Sequence, residues 1–546
     1  MRAAWRLNLL PLVALAACAT VAAPGSSGSG GGSFSRRDER RLVGSFTDIR
    51  AVATSRRYVY AAGPSGIGIF DRVFGGWLPP LSREQGFIDT QLTVVAGDPV
   101  EDAVWIGVPG AVLIYRPQSE QLQRSIVVGV PDVILFDRAA SGDAYVRAGG
   151  QWTRVSRIGI STPVIGALPA SLQSAPTLSD VYARYPGLRN TSPLLFAGQR
   201  SDRVLRNYPV QSGTFAADQP ADVWLGTNGD GLYRVDATLL RATPVRYGLL
   251  ERGIGAVAVA ADGVWAAGLG SSLVRAGLTF ASNDLQRWRW VDGTLSVPLL
   301  GVRTSRLALR GSKAWMATDH GVVRVHLDGN ESISAWTTFD GLPDDRVYAL
   351  VARPDGAWAG TARGLVFISD TTDARNPRTR GIGATLLDNV PVYALAAVGD
   401  TLWAGTAAGL VAVLPSGELA RPNGADPALR RRITALAWSD SVLLAATDDA
   451  VLQLAPHGGV EPSRINVLSV AQVGQVTQLA VDDRTIVLAG TDGVLLLQRT
   501  GALRFLRAPG DVPGPVLDVA MSRDWLWLAT PDGLMRLRRA SDGGVP

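Results

Sequence analysis

From about residue 45 to residue 540, the chain consists of short apolar stretches separated by turns rich in glycine and aspartate. The segment from Arg346 to Ile368 shows the pattern clearly. It predicts an inner strand at Val347–Val351, a second strand at Trp358–Thr361 and a third at Leu365–Ile368. Pro, Asp, Arg and Gly between these stretches predict tight turns. The pattern therefore predicts an all-β protein of short antiparallel strands.

One strand of each unit carries a repeated motif, in which tryptophan is followed by small residues and then by glycine or threonine. Seven copies contain the tryptophan and four weaker copies lack it. From Trp224 to Trp527, successive copies are 39 to 50 residues apart, which is typical of four-stranded propeller blades and not of helical repeats. A single blade cannot bury both its faces, so the blades must stack around an axis. The copies are centred on Trp105, Trp224, Trp265, Trp315, Trp358, Trp403 and Trp527, with weaker ones at Val59–Gly63, Tyr145–Gly149, Leu443–Thr447 and Val487–Thr491.

About eleven blades exceed the four to eight that one ring commonly holds. We expect two fused propellers, over residues 45–250 and 251–540, with seven blades in the second; one large ring is the alternative. The gap between Val146 and Trp224 is too long for one blade, which predicts an insertion at about 160–207 with a helix around Ser179–Tyr185. Leu195–Gly198 is the alternative, as a degenerate blade strand.

The N-terminus predicts export and lipid attachment. Residues 1–17 combine a positive start with a short apolar run, as in a signal peptide. The run ends in Leu-Ala-Ala before Cys18, which resembles the lipobox of bacterial lipoproteins and makes Cys18 the predicted lipidation site. Residues 18–44 contain a Gly/Ser-rich tether. Since Ala19 follows the cysteine and no later stretch is apolar enough to span a bilayer, we expect an anchored protein of the cell envelope, at the outer membrane facing the periplasm.

The repeats resemble a known family. Trp358–Thr361 followed by Gly364-Leu365, together with Thr337–Pro343 before the next inner strand, is similar to the two-component regulator propeller repeat. In that family, the propellers usually form the periplasmic sensor half of a membrane-bound histidine kinase. The chain departs from this pattern, because it shows no kinase or DNA-binding segment. The resemblance therefore implies a sensor-like binding propeller that cannot signal by itself.

Composition limits the possible partners. The net charge is +5, from 53 basic and 48 acidic residues, and the arginines are scattered along the chain without a basic stripe. We therefore expect no nucleic-acid partner. The single cysteine excludes an intramolecular disulfide.

No catalytic or metal-binding set is apparent in the sequence. The three histidines, His320, His326 and His457, lack convergent ligands. The Asp-Gly pairs are preferred hairpin turns, and the repeated tryptophans are interpreted as packing between blades. Trp288 and Trp290 lie outside the motif and are the better candidates for exposed aromatic residues. We expect neither cofactor nor metal.

Two functional hypotheses follow. The first is a non-catalytic, lipid-anchored scaffold or ligand-binding module, with an envelope protein, a small ligand or a glycan as its partner. The alternative is a propeller enzyme, such as a lyase or hydrolase, acting at one ring face. In either case the site is expected on the face formed by the turns between second and third strands and by the loops between blades. That face would carry Asn228, Asp230, Asp319, His320, Asp344, Asp345, Arg363, Arg430, Arg431, Arg432, Asp448, Asp449 and Asp492.

Overall fold

The computed structural model of the chain describes residues 40–82, 87, 91–137, 142–189, 208–270, 277–292, 301–329, 332–370, 381–422, 427–439, 442–455, 463–464, 471–498 and 500–540. The described residues form eleven antiparallel sheets, of which nine have four strands, one has five and one has three. The predicted all-β class, with eleven blade-like sheets, is confirmed. The predicted signal peptide, Cys18 and the Gly/Ser-rich stretch lie outside the described residues.

The first part of the chain contains one strand that joins the last sheet, and then four sheets with a short helix, which we call the four-sheet region. Its elements are β1 (Arg40–Val43), β2 (Ala51–Thr54), β3 (Tyr58–Gly63), β4 (Gly66–Asp71), β5 (Gly76–Leu81), β6 (Val94–Gly97), β7 (Val104–Val108), β8 (Ala111–Arg116), β9 (Gln121–Ile126), β10 (Pro131–Asp137), β11 (Ala144–Ala148), β12 (Gln151–Val155), β13 (Ser161–Pro163), β14 (Leu172–Ser174), α1 (Leu178–Arg184), β15 (Val210–Ala216), β16 (Gln219–Thr227), β17 (Leu232–Asp236) and β18 (Arg241–Val245).

The remaining seven sheets form the seven-sheet region. Its strands are β19 (Ile254–Ala260), β20 (Gly263–Gly268), β21 (Gly277–Ser282), β22 (Trp288–Asp292), β23 (Thr304–Arg310), β24 (Lys313–Thr318), β25 (Gly321–His326), β26 (Ile333–Trp336), β27 (Val347–Arg353), β28 (Gly356–Thr361), β29 (Gly364–Ser369), β30 (Val392–Val398), β31 (Thr401–Thr406), β32 (Gly409–Val413), β33 (Leu419–Ala420), β34 (Ala435–Ser439), β35 (Val442–Ala446), β36 (Val451–Leu454), β37 (Ser463–Arg464), β38 (Val476–Val481), β39 (Thr485–Gly490), β40 (Gly493–Gln498), β41 (Leu503–Arg507), β42 (Asp518–Met521), β43 (Trp525–Thr530) and β44 (Gly533–Arg538).

The inner strands of the seven-sheet region follow one another in a circle. Strands β19, β23, β27, β30, β34, β38 and β42 pack in this order, and β42 packs against β19. In the four-sheet region, β10, β6, β2 and β15 pack in a row. Whether each set of sheets folds as its own domain, with the limits given above, stays a prediction.

The beginning of the chain completes its last sheet. Residues 40–43, which the sequence analysis placed in the tether, form β1 and pair with β44, with Val43 opposite Leu534. Arg41 and Val43 are buried there, so the strand contributes to the core of the last blade. The composition that marked the tether ends near residue 33, which explains why the strand was not predicted.

The repeated motif has a physical explanation in each of its positions. Trp105 is fully buried and packs edge-on against Phe136 of the neighbouring sheet. The closing threonine is also buried: Thr361 Oγ1 donates to the carbonyl of Gly364 at 2.9 Å and closes the turn. The turn glycine has a positive φ, and at Gly321 (φ 107°) a Cβ would overlap the carbonyl oxygen of Trp336.

The interpretation of the repeated tryptophans as packing residues is confirmed for Trp105, Trp224, Trp315 and Trp527, which are at most 1% exposed.

The predicted insertion contains ordered elements that attach to the four-sheet region. Strand β13 extends the third sheet at its outer edge, and β14 pairs with β10 on the inner side. The predicted helix is found as α1, which is capped by Thr177 and packs against β15. Leu195–Gly198 lies outside the described residues. Within the described ranges, no helix has the length and apolar character needed to cross a membrane.

Candidate functional site

The residues predicted for the binding face divide between the two regions. Asn228 and Asp230 lie in the turn between β16 and β17 of the four-sheet region. Asp230 is only 2% exposed; it accepts a hydrogen bond from Arg246 Nη1 at 2.9 Å and another from the Tyr233 hydroxyl. Burial and the neighbouring carboxylate raise the pKa of Tyr233. Asp230 is therefore held in a buried structural pair and is closed to a ligand.

Most predicted residues of the seven-sheet region are engaged in local contacts. Asp344 pairs with Arg346 at 3.1 Å, and this hydrogen bond lowers the pKa of Asp344. Arg431 pairs with Asp449 at 2.9 Å and likewise lowers its pKa. The other contacts of this kind join Asp345 to Thr338, Arg363 to Asn389, Asp319 to His320 and to the amide of Arg303, and Asp492 to Thr491.

Four of the predicted residues have side chains without such a partner among the described residues: Asn228, Arg430, Arg432 and Asp448. All four are exposed. Of the four, Arg432 lines a cavity of about 490 Å³ at the centre of the seven-sheet region, together with residues from the inner strands. This cavity, which we call the channel mouth, is the candidate site.

The inner strands place their side chains in the channel mouth by a repeated backbone irregularity. In β19, β23, β27, β30 and β38 the pairing register shifts around the second residue, which is the signature of a β-bulge. A bulge re-aims the side chain of the extra residue. The five residues at this position all line the channel mouth: Gly255, Ser305, Tyr348, Tyr393 and Thr477.

Small hydroxyls at the bulge join neighbouring blades. Ser305 Oγ lies 2.7 Å from the carbonyl oxygen of Val347, and Thr477 Oγ1 lies 2.6 Å from that of Val516. Each carbonyl oxygen accepts a hydrogen bond from the hydroxyl, and it lies at or just before the start of the following inner strand. At this position, therefore, serine and threonine stabilise the circle of blades.

Tyr348 and Tyr393 occupy the same position on adjacent blades and behave differently. Their rings lie 5.4 Å apart, centroid to centroid, and both side chains are half-buried. Neither phenol hydroxyl has a hydrogen-bond partner within the described part of the chain. The Arg432 guanidinium lies 4.8 Å from the centroid of Tyr393, within the range of a cation–π contact. The two tyrosines and Arg432 form one continuous aromatic and cationic surface.

Arg306 lines the channel mouth and links two of its inner strands. Its Nη2 donates to the carbonyl of Thr477 at 3.0 Å, which joins β23 to β38 across the channel. Beside it, the buried Asp518 accepts from Gln478 Nε2 at 3.1 Å and from the amide of Val257 at 2.9 Å. Burial raises the pKa of Asp518, and the charge of Arg306 opposes that rise. Arg306 and Thr477 therefore add polar groups to the lining of the channel mouth.

The prediction that Trp288 and Trp290 are exposed aromatic residues was wrong. Both are half-buried, and each indole nitrogen donates to a backbone carbonyl, Trp290 to Gly248 at 2.8 Å. Arg246 lies 4.6 Å from the centroid of Trp290. The two indoles pack where the two regions meet, which the chain position outside the motif did not reveal.

Within the described residues, no group of three or more His, Cys, Asp or Glu side chains is arranged to hold a metal ion.

The eleven sheets of the described residues, and the order of their inner strands, define the class of the protein: it is a β-propeller protein. No family model and no curated protein matches the chain. Among solved structures, it is similar to the extracellular domain of a putative hybrid two component system from B. thetaiotaomicron, with 11% identity, 91% of this chain and 70% of that chain covered, and a TM-score of 0.42.

Two further solved structures are similar over different lengths. Virginiamycin B lyase from Staphylococcus aureus has 13% identity, covers 53% of this chain and 96% of its own, and has a TM-score of 0.41. PorZ, a surface component of the type-IX secretion system of Porphyromonas gingivalis, has 12% identity, covers 93% and 88%, and has a TM-score of 0.31. At these identities the likeness concerns the fold alone, so the function is inferred from the channel mouth.

Proposed function

We propose that this chain is a lipid-anchored, non-catalytic binding module of the cell envelope, whose ligand or protein partner docks at the channel mouth. The observation that carries the proposal is the group of Tyr348, Tyr393 and Arg432. These polar groups are accessible, adjacent and not used by the fold. Elsewhere in the described inner strands, the bulge hydroxyls of Ser305 and Thr477 are used to join blades.

The envelope location rests on the N-terminus. The positive start, the short apolar run and the lipobox-like residues before Cys18 are the features that a lipoprotein signal requires. With the lipid in the outer membrane, on the periplasmic side, the Gly/Ser stretch would let the propeller stand away from the bilayer.

The anchor is tested by mass spectrometry of the N-terminal peptide and by fractionation of envelopes that contain the wild-type chain or Cys18→Ser. We expect an acylated Cys18 and recovery in the outer-membrane fraction, both lost in the variant. An unmodified N-terminus in the wild type, with equal recovery of both proteins in the soluble fraction, would contradict the anchor.

The binding role is tested by mild crosslinking and affinity purification from detergent-solubilised envelopes. We expect a stoichiometric partner or compound with the wild type and with Arg431→Gln, and its loss with Tyr393→Ala/Arg432→Gln. Arg431 is a matched control, because it adjoins Arg432 but is paired with Asp449.

Two results would count against the binding proposal. Equal recovery of the partner with all three proteins would show that the channel mouth is not the site. Chemical conversion of a recovered compound by the purified protein would contradict the non-catalytic part and favour the lyase or hydrolase alternative.

A further inference from the structure

The channel mouth has an excess of positive charge. Its lining residues include four arginines, Arg303, Arg306, Arg346 and Arg432, against one carboxylate, Asp319. The guanidinium of Arg346 is paired with Asp344, and that of Arg306 is engaged with backbone carbonyls. The side chains of Arg303 and Arg432 have neither a hydrogen bond nor an ion pair among the described residues, and both residues are exposed. This arrangement favours a negatively charged ligand.

The aromatic pair favours a flat ligand. Tyr348 and Tyr393 present half-buried rings whose planes are inclined by 36°, so that a planar group can pack against one ring face while the other borders it. Aromatic contacts of this kind contribute about 0.5–1.5 kcal/mol beyond the burial of area. The free phenol hydroxyls add hydrogen-bond donors beside the rings, where they can meet a carboxylate or sulfate oxygen.

The volume of the channel mouth favours a small ligand. The cavity is about 490 Å³, which lies in the range of small-molecule pockets. The hydrogen bond from Arg306 to Thr477 joins β23 to β38 within the lining of this cavity. The cavity therefore suits a small compound or a terminal group better than a length of polymer.

Building on the proposed function, the geometry points to a small organic anion as the ligand, in which a carboxylate or sulfate is attached to a planar ring. The anionic group meets Arg432, and the ring packs on Tyr393 and Tyr348. Arg432 has a double role, since it also covers part of the Tyr393 ring face.

The test uses the full-length lipoprotein in detergent and three probes. The first, 2-naphthoate, has a ring and a charge; 2-naphthamide has the ring alone, and inorganic phosphate has the charge alone. Binding is measured by ligand-observed NMR titration. We expect 2-naphthoate to bind about tenfold more tightly than 2-naphthamide, a difference of about 1.4 kcal/mol. Phosphate at the same concentration should displace little of it.

Variants separate the roles of charge and ring. Arg432→Gln should weaken the binding of 2-naphthoate about tenfold and leave the binding of 2-naphthamide unchanged. Tyr393→Ala should weaken the binding of both probes several-fold. Arg431→Gln should bind all probes like the wild type. Thermal unfolding of each variant shows whether it is folded. If Tyr393→Ala does not fold, Tyr393→Phe replaces it, since phenylalanine keeps the ring and removes only the hydroxyl.

Three results would overturn the inference: equal affinity for the two naphthalene probes, 2-naphthoate binding that survives Arg432→Gln, or equal displacement by phosphate. Failure of this inference is distinct from failure of the proposed function. If an envelope partner still requires Tyr393 and Arg432 while the probes do not bind, the ligand class is wrong and the binding module stands.

Discussion

The four-sheet and seven-sheet regions use their charged residues differently. In the four-sheet region, acidic groups are buried and paired: Asp98 is fully buried beside Arg157 at 3.4 Å, and Asp71 pairs with Arg57 at 2.7 Å. At the mouth of the seven-sheet region, Arg432 is exposed and unpaired among the described residues. Paired charges therefore stabilise the first region, whereas at the channel mouth of the second region Arg432 remains available for binding.

The architecture explains the difference. In the four-sheet region, β14 pairs with β10 on its inner side, and residues 173–176 line a central cavity of about 430 Å³. Strand β14 and the residues that follow it thus occupy part of the centre of the four-sheet region. In the seven-sheet region, residues of the inner strands line the channel mouth, and the bulges direct the side chains of Tyr348 and Tyr393 into it.

The largest expected effect is the loss of a buried charge in the four-sheet region. Asp230→Ala should lower the free energy of unfolding by about 3 kcal/mol, because Arg246 and the Tyr233 hydroxyl lose their buried acceptor. Urea denaturation measures the change. Asp448→Ala in the seven-sheet region, where the aspartate is exposed, is the control and should stay within about 0.5 kcal/mol. Equal effects of the two substitutions would abolish the contrast.

A second prediction concerns Glu251, an exception in the seven-sheet region. Its side chain is buried and has no cationic partner within the described ranges. It accepts hydrogen bonds from the amides of Gly270 and Gly277, and burial raises its pKa to about 8. The folded state therefore binds the proton more tightly than the unfolded state, whose carboxyl has its ordinary value of 4.5. Stability should be highest below pH 4.5 and fall steadily as the pH rises to 8, where the folded state loses this proton.

The measurement for Glu251 is the free energy of unfolding at several pH values between 4.5 and 8. Glu251→Gln should flatten the profile, since the amide does not titrate. A slope in the variant as steep as in the wild type would assign the pH dependence to other groups.

A smaller effect is expected from the repeated threonine. Thr361→Val keeps the shape but removes the hydroxyl that bonds to Gly364, so stability should fall by about 1 kcal/mol. Thr491 is exposed at the equivalent turn, where its hydroxyl bonds to Asp492. Thr491→Val should cost less, as measured by the same denaturation, and a reversed order would refute the role given to the buried turn hydroxyl.

The smallest effect on stability is expected at the channel mouth itself. Arg432→Gln should change the free energy of unfolding by no more than about 0.5 kcal/mol, because the guanidinium is exposed and, as far as the structure describes the chain, contacts the Tyr393 ring without an ion pair. A loss of 2 kcal/mol or more would mean that Arg432 serves the fold, and the comparison between the regions would fail.

Local patterns in the sequence predicted the blades. The apolar alternation of Val347–Val351 led to β27, and the helix expected around Ser179–Tyr185 is α1. These features depend on neighbours within a few residues, through strand propensity, capping and turn chemistry. The buried tryptophans were also predictable, since one repeated position implies one repeated environment.

Only the tertiary structure decided which residues share a site. Tyr348, Tyr393 and Arg432 come from three successive blades, and Arg306 reaches β38 across the channel. The bulge that turns the tyrosines inward exists only once two strands have paired, and the exclusion of Asp230 depends on its contact with Arg246. Strand β1 likewise meets β44 from the far end of the chain. The sequence determined what each blade is, because blades form from local contacts; closure of the inner strands determined which side chains meet, because that depends on contacts between distant residues.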